Sequence, residues 1–156
     1  MPEYEGRLRA NGRLAIVVAR YNEVITGRLL DGARQAAAEA GYAPDDVDTC
    51  WVSGAFELPA VAAALAQSSR YAAIVALGAV IRGETPHFDY VAGEAARGLN
   101  AVAVEWGLPV AFGVLTVDTF EQASARAGGS AGNKGYEAAD AAIRAADLLV
   151  QVEEQA

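Results

Sequence analysis

The sequence predicts an α/β fold: a three-layer αβα sandwich on a four-stranded parallel sheet. Two observations carry that prediction. Four short, β-rich apolar runs alternate strictly with longer stretches of helical periodicity, the order that gives right-handed crossovers and helices on both faces of a sheet. The runs are also apolar nearly throughout rather than alternating, as expected of strands buried on both sides. The 156 residues fit one domain, taken as residues 1–156, and show no linker, repeat or low-complexity tract.

The elements follow in order. Leu14–Ala19 reads as the first strand. Asn22 is placed to cap the next helix, whose apolar positions Ile25, Leu29, Ala33, Ala36 and Ala40 keep helical spacing until Gly41 ends it. Val47–Val52 is the second strand, and a helix runs from about Glu57 to Ser69, with Pro59 tolerated in its first turn. Ala72–Val80 is the third and most hydrophobic strand. The helix after it puts Phe88, Val91, Ala95, Leu99, Val102 and Trp106 on one face and stops at Gly107, with Thr85 as N-cap and Pro86 as its first residue. Val110–Leu115 is the fourth strand, and a short helix covers Glu121–Arg126. The Gly-rich turn Ala127–Gly135 leads into a last helix with Tyr136, Ala139, Ile143, Ala146 and Val150 in register. A further strand around Arg7–Arg9 has no obvious partner in the sheet, so it is expected to pair with a neighbouring subunit.

Composition narrows the function. A net charge of −8 without a basic stripe disfavours nucleic acid and anionic membranes. One Cys and one His exclude an intrachain disulfide and a Cys/His metal cage. The longest apolar run, Tyr71–Ile81, is far short of the ~20 residues that span a bilayer. The first residues also lack a signal-peptide core, so a soluble, cytoplasmic, metal-free domain is expected. Apolar residues make up 53% of the chain. With Gly counted in place of Tyr the fraction is about 60%, against a globular average of roughly 45–50%. The surplus points to surface buried between subunits.

Ligands of open parallel sheets bind beyond the carboxyl ends of the strands. The chemically distinctive residues fall there: Arg20-Tyr21-Asn22, then Ser53-Gly54-Ala55-Phe56-Glu57, then Ile81-Arg82-Gly83-Glu84-Thr85-Pro86-His87, and finally Thr116, Asp118 and Thr119. The third loop opens a helix whose free N–H groups suit an anion, and Gly83 lets a phosphate approach the backbone. His87 beside it is either a structural histidine or a proton-transfer group. Tyr21 either stacks on a planar ligand or covers the sheet edge. Glu57 either accepts hydrogen bonds from ligand hydroxyls or is a favourable charge at a helix start. The Ala127–Gly135 turn fails the phosphate-loop spacing, because Asn133 precedes and Gly135 follows Lys134. Arg126 and Lys134 flanking it read, taken alone, as solvated charges. No nucleophile elbow occurs, and Ser53 has no second His to partner.

RYNEVITGRLLDGA (Arg20–Ala33), WVSGAFELP (Trp51–Pro59), LGAVIRGETPHFDYV (Leu77–Val91) and the AGNKG turn together resemble the lumazine synthase family, in order and over essentially the whole chain. The resemblance implies a flavodoxin-like strand order and a transferase of riboflavin biosynthesis. Such an enzyme condenses 5-amino-6-ribitylaminouracil with 3,4-dihydroxy-2-butanone 4-phosphate and needs no cofactor or metal. By the same resemblance, Tyr21 stacks on the pyrimidine, with Asn22 beside it in the binding set. Ala55, Phe56 and Glu57 hold the ribityl chain, and the Ala79, Val80 and Ile81 backbone reads the pyrimidine edge. Glu84, Thr85 and Arg126 bind the butanone phosphate, and His87 transfers protons. Phe112 and Lys134 match contacts made from the adjacent subunit. Tyr21 stands where Phe or Trp is commoner, and Pro86 before His87 is less usual and stiffens the loop. The implied partners are the two small-molecule substrates, other copies in a ring of five that can build a sixty-subunit shell, and riboflavin synthase. A non-catalytic flavin- or ribityl-binding protein and a shell scaffold are the other readings; His87, Arg126 and Lys134 together argue against the first.

Overall fold

A computed structural model describes residues 1–155. Four parallel strands form one sheet: β1 (Leu14–Ala19), β2 (Val47–Val52), β3 (Ala73–Ile81) and β4 (Val110–Val117), in the order β2-β1-β3-β4. Leu14 sits between Val47 and Ala73, and Ile74 is opposite Val110. The two central strands are the most apolar runs of the sequence; β1 is buried throughout and β3 from Ala73 to Ala79. β2 lies at the edge and is only half-buried, so the expectation of burial on both faces does not hold for it.

The period of two along each strand divides the core. Leu14, Ile16 and Val18 of β1, with Val75 and Leu77 of β3, face α1 (Glu23–Ala40) and α5 (Lys134–Gln155), where Leu29 and Ile143 meet them. Ala15, Val17, Ile74 and Ala76 face α2 (Leu58–Gln67) and α3 (His87–Trp106), where Leu58 and Leu99 are fully or nearly fully buried. The three layers are thus helices, sheet and helices. Gly41 and Gly107 end α1 and α3 in the left-handed conformation, at φ 102° and 64°.

Some local expectations shift. A single 3-10 turn, Ala55–Glu57, precedes α2, so that helix starts at Leu58 and not at Glu57. Thr85 is not the N-cap of α3. The carbonyl of Pro86 accepts the Asp89 N–H at 3.0 Å and opens the helical ladder there, which makes His87 the first helical residue. The short helix α4 spans Phe120–Arg126, and the Gly-rich turn after it is a small antiparallel hairpin of β5 (Ala127–Gly129) and β6 (Gly132–Asn133). Asn133 then caps α5, its Oδ1 accepting the N–H groups of Gly135 and Tyr136 at 2.8 and 3.1 Å.

The start of α5 crosses α1 at Gly135, where a Cβ would collide with the carbonyl group of Leu29. Only glycine fits. Gly135→Ala forces the two helices apart and should cost at least the roughly 1–3 kcal/mol of an overpacked core. An unchanged denaturation midpoint would contradict that close crossing.

Residues 1–13 join no strand of this sheet. Residues 5–9 are instead tied to α5: the buried carboxylate of Asp147 accepts the Arg7 N–H (2.9 Å), the Arg9 guanidinium (3.0 Å) and the Gln151 amide (2.9 Å), and Gln151 also donates to the Glu5 carbonyl. The Arg7 amide above all holds the Asp147 carboxyl below the usual carboxylate range, against the opposing effect of burial. A depressed folded-state value stabilises above the unfolded carboxylate pKa of about 3.9 and is lost as pH falls through the folded value. The melting-temperature advantage of the wild type over Asp147→Asn should therefore be full at neutral pH and shrink below about pH 4. A gap that stays constant down to acid would show that the carboxylate is not held this way. No helix among the described residues is long and apolar enough to cross a membrane.

Candidate functional site

The carboxyl ends of β1, β2 and β3 open on a cavity of about 790 Å³. Tyr21 leaves β1 with its ring exposed, and Phe56 stands exposed on the 3-10 turn after β2. The two loops are held together by a continuation of the β1–β2 ladder: Arg20 N–H to the Val52 carbonyl at 2.8 Å and Tyr21 N–H to the Ser53 carbonyl at 2.9 Å. Ala79, Val80 and Ile81 of β3 form the floor, and Gly83, Thr85 and His87 the far wall. A planar group between exposed rings, over the backbone at the end of β3, is what such a hollow can hold.

Glu57 lines the cavity and also supports the start of α2. Its Oε1 accepts the Gly54 N–H at 3.0 Å and so fixes the turn, while its other oxygen stays available to hydroxyls. His87 is exposed at the first position of α3, its own N–H pointing to the Thr85 hydroxyl at a long 3.4 Å. Among the described residues, the amides of Gly83, Glu84 and Thr85 donate to no protein group. Three free N–H groups and a glycine before a helix start are donors of the kind an anion cradle uses, next to an imidazole.

Asn22 behaves differently from its expected capping role. It sits at the N-cap position of α1 in the left-handed region (φ 65°), with no side-chain cap. Its carbonyl accepts the Ile25 and Thr26 N–H groups, and its Nδ2 donates to the Ala79 carbonyl at 2.9 Å. Asn22 therefore ties the β1 loop to the cavity floor, and it is not one of the lining residues; neither is Glu84.

Phe112, Arg126 and Lys134 do not reach this cavity. They meet around a second hollow of about 480 Å³ on the outer side of β4, with Glu137. Grouping Arg126 with Glu84 and Thr85 is thus not realised within one chain, because Arg126 ends α4, which follows the edge strand β4, while Glu84 and Thr85 follow β3. Lys134 pairs with Glu137 at 3.2 Å, and Arg126 spends one donor on the Gln122 carbonyl at 3.0 Å.

Tyr90 and Val91 also line the cavity and were not among the expected site residues. Their signal was available: positions three and four after His87 share its helix face. Among the described residues, no group of acidic, His and Cys side chains is arranged to hold a metal ion. A family model described as 6,7-dimethyl-8-ribityllumazine synthase matches residues 11–150 of the chain.

Proposed function

The chain belongs to the lumazine synthase family, transferases of riboflavin biosynthesis, and from that premise we propose that it condenses 5-amino-6-(D-ribitylamino)uracil with 3,4-dihydroxy-2-butanone 4-phosphate to 6,7-dimethyl-8-ribityllumazine. The observation that carries this reading is the pairing, in one cavity, of exposed aromatic rings with an anion cradle beside a histidine. The pyrimidine lies between Tyr21 and Phe56 with its polar edge on the Ala79–Ile81 backbone. The ribityl chain runs along Ala55–Glu57, where the free carboxylate oxygen of Glu57 accepts its hydroxyls. The phosphate of the second substrate sits at Gly83–Thr85.

Held so, the aromatic amine attacks the ketone, and loss of water gives an imine. Removal of a proton from the adjacent hydroxyl-bearing carbon expels inorganic phosphate and leaves an enol, which takes a proton on its terminal carbon to become a ketone. The ribityl-bearing nitrogen closes the ring on that new carbonyl with loss of another water. Both proton transfers are assigned to His87, which lines the same cavity. General acid–base groups contribute about 10²–10⁴-fold, and the low end or less is expected here, because amine and ketone already react in water and positioning supplies much of the acceleration.

In this reading one chain is half a site. Phe112, Arg126 and Lys134 on the β4 flank complete the cavity of the next subunit, in a closed ring of five whose sites lie between neighbours. To pair with a neighbouring sheet the N-terminal segment would have to leave its ties to α5, and the short β5–β6 hairpin favours closure of rings into a shell. Mixing the two substrates and following the fluorescence of the product tests the activity. A rate no greater than that of the buffered substrates alone would overturn it, and a monomer or dimer by mass photometry would overturn the shared site.

A further inference from the structure

Arg82 is the first residue after β3, and its guanidinium meets three groups. It lies over the Phe88 ring, 4.3 Å from the centroid, its Nε donates to Asp118 Oδ1 at 3.0 Å, and an Nη is 3.6 Å from Asp89 Oδ1. Its backbone N–H donates to the Val117 carbonyl at 2.8 Å. Phe88 and Asp89 belong to the first turn of α3, and Asp118 follows β4. One side chain therefore pins the start of the Gly83–Pro86 loop to its end, and pins both to the neighbouring strand. The anchor is itself fixed: Asp118 donates its N–H to Gln122 Oε1 at 2.7 Å, inside the capping box of α4. Nothing else among the described residues spans the loop, whose three central amides are free.

The geometry points to Arg82 as a positioning residue that holds the Gly83–Thr85 amides and His87 in register for an anion. The inference rests on the proposed phosphate role of this loop. Arg82 does not line the strand-end cavity; it lines a hollow of about 570 Å³ beside β4 with Phe112 and Arg126, and there its guanidinium faces two carboxylates and a ring. It acts by shape, not by lending charge to the ligand. Planarity and the Nε–H are what the arrangement uses, and lysine has neither.

The test takes Arg82→Gln, Arg82→Lys and Asp118→Asn in the assembled protein, and reads inorganic phosphate affinity, both Michaelis constants and melting temperature. All three variants should lose about tenfold in phosphate affinity and show a KM for the phosphate substrate raised about tenfold, because a loosened cradle no longer presents its donors together. The pyrimidine KM should stay within about twofold, and melting should move little, since half-exposed ion pairs add little to global stability. If Arg82→Lys rescues and Asp118→Asn tightens phosphate binding, the residue works by charge and the proposal is wrong. If both Michaelis constants shift together with the melting temperature, its role is merely structural and the proposal is equally wrong. Wild-type protein that binds no phosphate also sinks it. Turnover is separate: wild type that binds phosphate but does not condense the substrates overturns the proposed reaction and leaves the Arg82 result readable.

Discussion

Arg126→Ala should raise the Michaelis constant for the butanone phosphate about ten- to a hundred-fold, which corresponds to the roughly 1.5–3 kcal/mol of a lost charge-assisted hydrogen bond. The KM for the pyrimidine should hardly change. The argument comes from what the guanidinium does in the chain. Arg13, Arg20, Arg82 and Arg144 all pair with carboxylates at 3.2 Å or closer. Arg126 gives one N–H to the Gln122 carbonyl and forms no ion pair among the described residues, although Phe112 and Lys134 crowd the same hollow. That one bond fixes its direction and leaves the other donors for a planar, two-point grip on a phosphate. Steady-state kinetics with each substrate varied in turn checks it. A rise of equal size for both substrates would mean that the residue shapes the site generally and holds no phosphate.

The same comparison shows what a sequence of this kind exposes. β1 and β3 are legible because central parallel strands must be apolar on both faces, and the stops at Gly41 and Gly107 because each residue takes a positive φ. The cavity residues are legible because strand ends in such sheets are where loops converge. What is not legible depends on distance along the chain. Asp147 stands four residues after Ile143 on the buried stripe of α5, which signals that it has a partner; but its partners are Arg7 and Arg9, brought in from the other end of the chain. Asn22 is a good capping residue by type, yet a left-handed backbone turns its amide to Ala79. Which flank each site residue faces is hidden too, since the direction in which α4 leaves β4 decides the place of Arg126, and nothing local to α4 encodes that.

A mixture of two crippled proteins should be more active than either. His87→Ala removes the imidazole from the β3-end cavity, and Arg126→Ala removes the guanidinium from the β4 flank. If each site joins the cavity of one subunit to the flank of the next, a ring assembled at random from equal amounts of both variants contains some sites that escape both lesions. Such a site takes its cavity from the Arg126→Ala chain and its flank from the His87→Ala chain, and in a closed ring about a quarter of the sites are of this kind. The variants are co-expressed, or unfolded together and reassembled, and assayed at a butanone phosphate concentration well below the KM of Arg126→Ala. Activity should rise above both parents toward that quarter of the wild-type rate. Mixing the folded variants without reassembly should give only the average, because closed rings do not exchange chains on the time scale of the assay. A site contained within one chain predicts the average in both experiments, since every cavity would keep its own lesion. The chain by itself places the two halves on different flanks, so the reassembled mixture decides whether they serve one another.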